Sequence, residues 1–155
     1  MTTVELMDNL ANYIRQIVSD FDVKYKTDFH GINVYSGWPP IRNNAAEKES
    51  FIYVIVTKWE DHPDQNPFSE ATVEIGFSMY DNGMQDGWRT LYNMMEHVRQ
   101  GLLRKRTING RNTLNGPING TIANNQPFPQ WQGTINATYS VGQPGWEGIN
   151  FDTDF

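Results

Sequence analysis

Residues 71–80 read ATVEIGFSMY, and the alternation within them decides the fold. Val73, Ile75, Phe77 and Met79 point one way, while Thr72, Glu74, Gly76 and Ser78 point the other. That is the period of a β-strand with one buried face. Moving toward the N-terminus, residues 51–59 (FIYVIVTKW) are apolar on both alternating faces and rich in β-branched residues, as expected of a central strand. Between the two lies EDHPDQNPFSE, polar and proline-containing. It reads as a loop over 58–70, too long for a tight hairpin. Moving toward the C-terminus, DNGMQDG is a turn in which Asp86 is placed to cap a helix. Trp88, Leu91, Met95, Val98 and Leu102 then recur at helical spacing as one buried stripe. Arg104, Lys105 and Arg106 close that helix, where positive charge complements the helix dipole.

The flanks extend the same logic. Leu6, Leu10, Ile14, Ile17 and Phe21 form one apolar stripe of an N-terminal helix. Thr2 and Glu5 stand at the spacing of a capping box, which satisfies free backbone donors at a helix start. Gly31 interrupts, and INVYSGWPP is a short strand ending at Gly37; Pro39 and Pro40 lack the amide hydrogens a central strand needs. Past the second helix, INGRNTLNGPING holds three Asn-Gly pairs, strong turn signals. Leu114, Ile118 and Ile122 can share one face of a weak strand that Pro117 confines to an edge. In QPFPQWQG (126–133) the prolines fix an extended approach, and Phe128 covers the end of the sheet. Trp131 then opens a strand in which Ile135, Ala137, Tyr139 and Val141 alternate with Gln132, Thr134, Asn136, Thr138 and Ser140. The expectation is an α+β domain over residues 1–141, a mostly antiparallel β-sheet with two α-helices packed on one face. Residues 142–155 (GQPGWEGINFDTDF) have no period and read as an irregular C-terminal extension.

A chain of 155 residues is long enough to bury a sizeable core as one domain. Charged residues are only 19%, so the surface must be largely amide and hydroxyl. The net charge of −6 speaks against a free-standing nucleic-acid binder, which carries a basic stripe. Absence of cysteine excludes disulfides, thiolate zinc sites and a cysteine nucleophile. No basic n-region with an apolar block opens the chain, and no run approaches a membrane span. The expectation is a soluble, cytoplasmically made protein with no membrane contact.

Catalytic chemistry is not indicated. His30, His62 and His97 are far apart and none sits at a metal-helix spacing; Glu96-His97 lacks a second ligand one turn away. The acidic run EDHPD (60–64) can attract a divalent cation, but a calcium loop requires a central glycine and Pro63 falls there instead. Neither a nucleophile elbow nor a phosphate-binding loop occurs. The chain is therefore read as a non-enzyme with no metal, cofactor or catalytic residue. RQGLLRKR can touch nucleic acid, yet the end of a helix explains its charge without a partner. Trp88 and Trp131 open periodic elements and read as core. Trp38, Trp59 and Trp146 lie beside loops or strand ends, where exposed aromatics mark interfaces.

Two stretches carry a resemblance. SMYDNGMQDGWRTLYNMMEHVRQGLL and LNGPINGTIANNQPFPQWQGTINATYSV, following FIYVIVTKWED in this order, resemble the tail-terminator or tail-completion (head-tail joining) proteins of tailed bacteriophages over residues 4–141. The resemblance implies a structural virion protein, assembled in the host cytoplasm. It would form a ring, typically a hexamer, that caps the tail tube and offers a surface to the neck or connector. It also implies an α+β fold, which the periodicities give independently. Assembly would proceed by repeated heterologous contacts that close by rotation. In such a ring Trp59, His62 and Phe68 of the 58–70 loop are the candidate contacts with tube protein or a neighbouring subunit. Arg104, Lys105 and Arg106 would face an acidic neighbour or, transiently, DNA in the lumen. The same loop reads equally as a surface loop without a partner. A head-closure or neck protein is the alternative within virion assembly. A carbohydrate- or peptide-binding module using exposed Trp, Asn and Gln is the alternative from another class.

Overall fold

The computed structural model describes residues 2–25, 31–40 and 49–144, with the backbone alone for 21–25. The expected Phe21 contact, His30, Trp146 and most of the C-terminal extension lie outside the described residues. Among the described residues, nine elements run in the order α1 (Thr3–Tyr25), β1 (Asn33–Ser36), β2 (Phe51–His62), β3 (Phe68–Tyr80), α2 (Trp88–Arg104), β4 (Thr107–Ile108), β5 (Asn112–Thr113), β6 (Asn119–Thr121) and β7 (Gln130–Val141). The main sheet has the order β1-β2-β3-β7-β6, and only the β1–β2 pair is parallel. The chain is an α+β protein with a mainly antiparallel sheet and two helices.

Register explains which face is buried. Ile52, Val54 and Val56 pair with Phe77, Ile75 and Val73, and these pair onward with Gly133, Ile135 and Ala137. Directly paired residues share a face, so one side of the sheet is continuously apolar. α1 packs over β1 and β2 and α2 over β3 and β7. Leu6, Leu10 and Ile14 of α1 and Leu91, Met94, Val98 and Leu102 of α2 join that face in a single core. The two helices approach closely at Gly101, where an added Cβ would stand 2.5 Å from Ile17 Cδ1. Tyr13 Oη donates to the Gly101 carbonyl at 2.8 Å, and the His97 ring lies 3.1 Å from the Ile17 carbonyl. His97 is thus half-buried as a tie between helices.

The capping box at the start of α1 is present: Thr2 N donates to Glu5 Oε1 at 2.8 Å, and Glu5 N to Thr2 Oγ1 at 3.1 Å. The expected cap of α2 is not. Gly87 occupies the N-cap position without a side-chain bond. Asp86 instead pairs with exposed Arg89 at 3.6 Å. Asp81 does the local work, accepting from Gly83 N and from Thr90 Oγ1 in the first turn of α2. Trp88, expected in the core, is 40% exposed at the first position of α2, where it meets Tyr92 edge-on. Of the three Asn-Gly pairs, Asn109-Gly110 makes the expected tight turn, with both residues at positive φ (55° and 67°) and Arg111 N bonded to Ile108 O. Asn115-Gly116 bends the chain at a positive-φ glycine, whereas Asn119-Gly120 lies within edge strand β6.

At QPFPQWQG, Trp131 packs against the core and donates its indole N–H to the Asp81 carbonyl at 2.9 Å. Phe128 meets it edge-on with centroids 6.0 Å apart. This stretch anchors the β3–α2 turn to the start of β7.

The largest correction concerns residues 58–70. They form no long loop: β2 and β3 stay paired to His62↔Phe68, and only residues 63–67 turn. The sequence hid this because the arm runs past the helices. Its β2 strand is exposed at every position from Thr57 to Asp61, and β3 buries only the small side chains of Ser69 and Ala71 there, so no apolar alternation marks the arm as strand.

Candidate functional site

The projecting hairpin arm begins at a bulge. Val56 pairs with Val73 and Lys58 with Thr72, leaving Thr57 as an extra residue. One inserted residue reverses the faces of everything beyond it. Before the bulge the even-numbered residues Ile52, Val54 and Val56 face the helices. After it the odd-numbered Trp59 and Asp61 take that side, opposite Ala71 and Ser69, while Lys58, Glu60 and His62 turn to the outer face opposite Thr72, Glu70 and Phe68.

The sequence-derived contact residues therefore separate. Trp59 is 65% exposed on the helix side of the sheet, opposite buried Ala71. Phe68, 49% exposed, lies on the outer face, where the His62 ring stacks on it at 4.1 Å between centroids and 15° between planes. Ser69 Oγ donates to Asp61 Oδ1 at 2.5 Å. Gln143 clamps the mouth of the turn, its Nε2 donating to the His62 carbonyl at 3.3 Å and the Phe68 carbonyl at 2.7 Å. β1 covers the edge of β2 only from Phe51 to Val54. Among the described residues no strand pairs with the remaining edge, Ile55 to His62.

Glu60 and Glu70 are direct cross-strand partners, an unfavourable like-charge pairing. His62 Nε2 lies 3.6 Å from Glu60 Oε1, and one donor atom from each of Glu60, His62 and Glu70 can be chosen so that all lie within 4.8 Å of one another. Asn115 Nδ2 holds Glu70 Oε2 at 3.1 Å. The sequence showed Glu60 and His62 as part of an acidic loop. Glu70 was invisible as their neighbour without the register.

Arg104, Lys105 and Arg106 are exposed at the end of α2. Lys105 Nζ sits 5.3 Å above the Tyr13 ring, and Arg106 Nε donates to the Leu103 carbonyl at 3.1 Å. The Arg106 carbonyl accepts from Leu114 N at 2.7 Å, Leu114 bridges to Tyr139, and Asn115 next to it reaches Glu70. Tyr139 in turn pairs with Ala71, opposite Trp59. All six candidate residues thus lie toward one end of the sheet, on different faces of it.

A second exposed aromatic feature escaped the sequence reading. Trp88, Tyr92 and Trp131 line an open cleft of about 420 Å³ with Leu91, Asn124 and Gln126. Trp88 and Tyr92 meet edge-on at 5.5 Å, and the Arg89 guanidinium lies 4.7 Å over the Trp88 ring. The available signal was Tyr92, one turn from Trp88 and off the buried stripe.

The perturbed ionisations belong to tyrosines. Burial, then the hydrogen bond to Glu74 and its negative charge, push Tyr53 up to about 12. Burial raises Tyr139 further and also lifts Tyr13, against the pull of Arg104. Each phenol is therefore held as a neutral hydroxyl. Among the described residues no helix is long and apolar enough to cross a membrane.

Fold and surface together define an α+β fold with one sheet face under two helices, an opposite face of mixed polarity, and a paired strand arm projecting from one end. The sequence matches no family model and no curated protein. Among solved structures, a chain described as "Virion of native gene transfer agent (GTA) particle" is similar over 82% of this chain and 88% of that one, at 12% identity and a TM-score of 0.45.

Proposed function

We propose that this chain is a structural virion protein of a tailed phage or phage-like particle, a tail terminator that caps the tail tube as a ring and joins it to the neck. The observation that carries the reading is the hairpin arm. Its strands bury nothing in their own domain beyond Ala71 and Ser69, yet hold Trp59 and Phe68 out to solvent on opposite faces. A rigid two-faced arm suits a subunit that grips a neighbour on each side, the heterologous contact from which rings close. The basic residues at the end of α2 lie toward the same end, positioned for an acidic neighbour or for DNA in a lumen. Residues 1–141 would form the ring-building domain. The ordered motifs that resemble tail terminators support the same role.

Size-exclusion chromatography with light scattering, alone and with tube protein, tests the ring. A species that stays monomeric in both mixtures refutes it. Deletion of the gene separates termination from head closure: filled heads with tails of abnormal length are expected, whereas leaking heads with normal tails would reassign the protein. The aromatic cleft favours one reading from another class, a peptide- or carbohydrate-binding module, which would show saturable ligand binding by a monomer.

A further inference from the structure

We propose that Glu60, His62 and Glu70 form a divalent transition-metal site of zinc-like chemistry on the outer face of the hairpin arm. It departs from the sequence expectation of no metal, and it does not depend on the ring. The bulge at Thr57 creates the cluster by turning Glu60 and His62 onto the face of Glu70. Two carboxylates placed directly opposite each other repel, and a bound cation converts that repulsion into shared coordination.

The geometry is close to what a metal needs. With zinc–oxygen and zinc–nitrogen bonds of about 2.0–2.2 Å, tetrahedral ligand atoms stand about 3.4 Å apart. The His62–Glu60 separation of 3.6 Å is already near that value, and the remaining separations, all within 4.8 Å, close by small rotations of half-exposed glutamates. Contacts outside the cluster orient its members, as is usual around metal ligands. His62 is stacked on Phe68, Glu70 is held through one oxygen by Asn115, and Gln143 clamps the backbone at His62 and Phe68. One imidazole with two carboxylates suits zinc, manganese or cobalt. It falls well short of the six to eight oxygens calcium takes. Three protein donors leave a coordination position open to solvent.

The test uses the full, tag-free chain stripped with chelator, titrated with zinc chloride by calorimetry and followed by thermal unfolding. One zinc per chain is expected, with a rise in Tm. His62→Ala is expected to abolish binding, and Glu60→Gln and Glu70→Gln each to weaken it at least about tenfold. Asp64→Asn, in the same turn but outside the cluster, is expected to bind as the parent does. Calcium chloride is expected to give no saturable signal. Absence of saturable zinc binding overturns the proposal. So does unchanged binding in either His62→Ala or Glu70→Gln, or calcium binding as tight as zinc.

Discussion

Gly76→Ala probes the outer sheet face most directly. Gly76 pairs with Tyr53, whose ring lies across it: a Cβ at Gly76 would stand 2.0 Å from Cζ, 2.1 Å from Cε2 and 2.4 Å from the hydroxyl oxygen. Carbon atoms in contact sit about 3.5–4.0 Å apart, so the ring tip must move by roughly 1.5 Å. A shift of that size breaks the 2.8 Å bond from Tyr53 Oη to Glu74 Oε2. Losing a hydrogen bond to a charged group costs about 1.5–3 kcal/mol. Replacing a strand glycine with alanine returns about 0.5–1 kcal/mol of backbone entropy. The net expectation is a loss of about 1–2 kcal/mol, read by urea denaturation. In a Tyr53→Ala background the same substitution should be neutral or slightly stabilising, because nothing then occupies the space.

Alkaline titration supplies an independent readout. The folded pKa of Tyr53 is raised above its unfolded value of about 10, so its contribution to stability is complete below that value and is lost as pH rises through about 12. In Gly76→Ala the phenol should titrate nearer 10, and the stability gap to the parent should narrow at high pH. A cost below about 0.5 kcal/mol with an unchanged tyrosinate titration would refute the reasoning. So would an equal cost in the Tyr53→Ala background.

Three further outcomes follow from the same structure. Tyr139 is fully buried with no hydrogen-bond partner for its hydroxyl among the described residues, so Tyr139→Phe should be neutral or stabilise by up to about 2 kcal/mol in denaturant melts. A clear destabilisation would show that the hydroxyl is satisfied in solution. Thr2→Ala removes half of the capping box and should cost about 0.5–2 kcal/mol, with fraying of the first turn visible by amide exchange. The double variant Trp59→Ser, Phe68→Ser should leave monomer stability within about 0.5 kcal/mol of the parent, since both side chains are exposed. It should abolish association with itself or with tube protein, and full assembly of this variant would remove the arm from the interface.

The alternation in residues 71–80 and 131–141, the stripe from Leu6 to Ile17 and the capping box at Thr2 were legible in the sequence. Each reports a local period or a short-range bond, and together they determined an α+β chain with one buried sheet face. The arm beyond Trp59 was not legible, because its β2 strand is exposed on both faces and the Ser69 and Ala71 that β3 buries are too small to mark a hydrophobic period. Trp88 kept the phase of a core residue, yet at the first position of α2 it stays 40% exposed. The sequence also placed Glu60 and His62 two residues apart, as any strand or loop would. Only the tertiary structure, by seating one surplus residue at Thr57, decided that they share a face with Glu70 and that Trp59 and Phe68 look opposite ways. Register is set by pairing across the whole sheet, and no local signal at Thr57 announces a bulge.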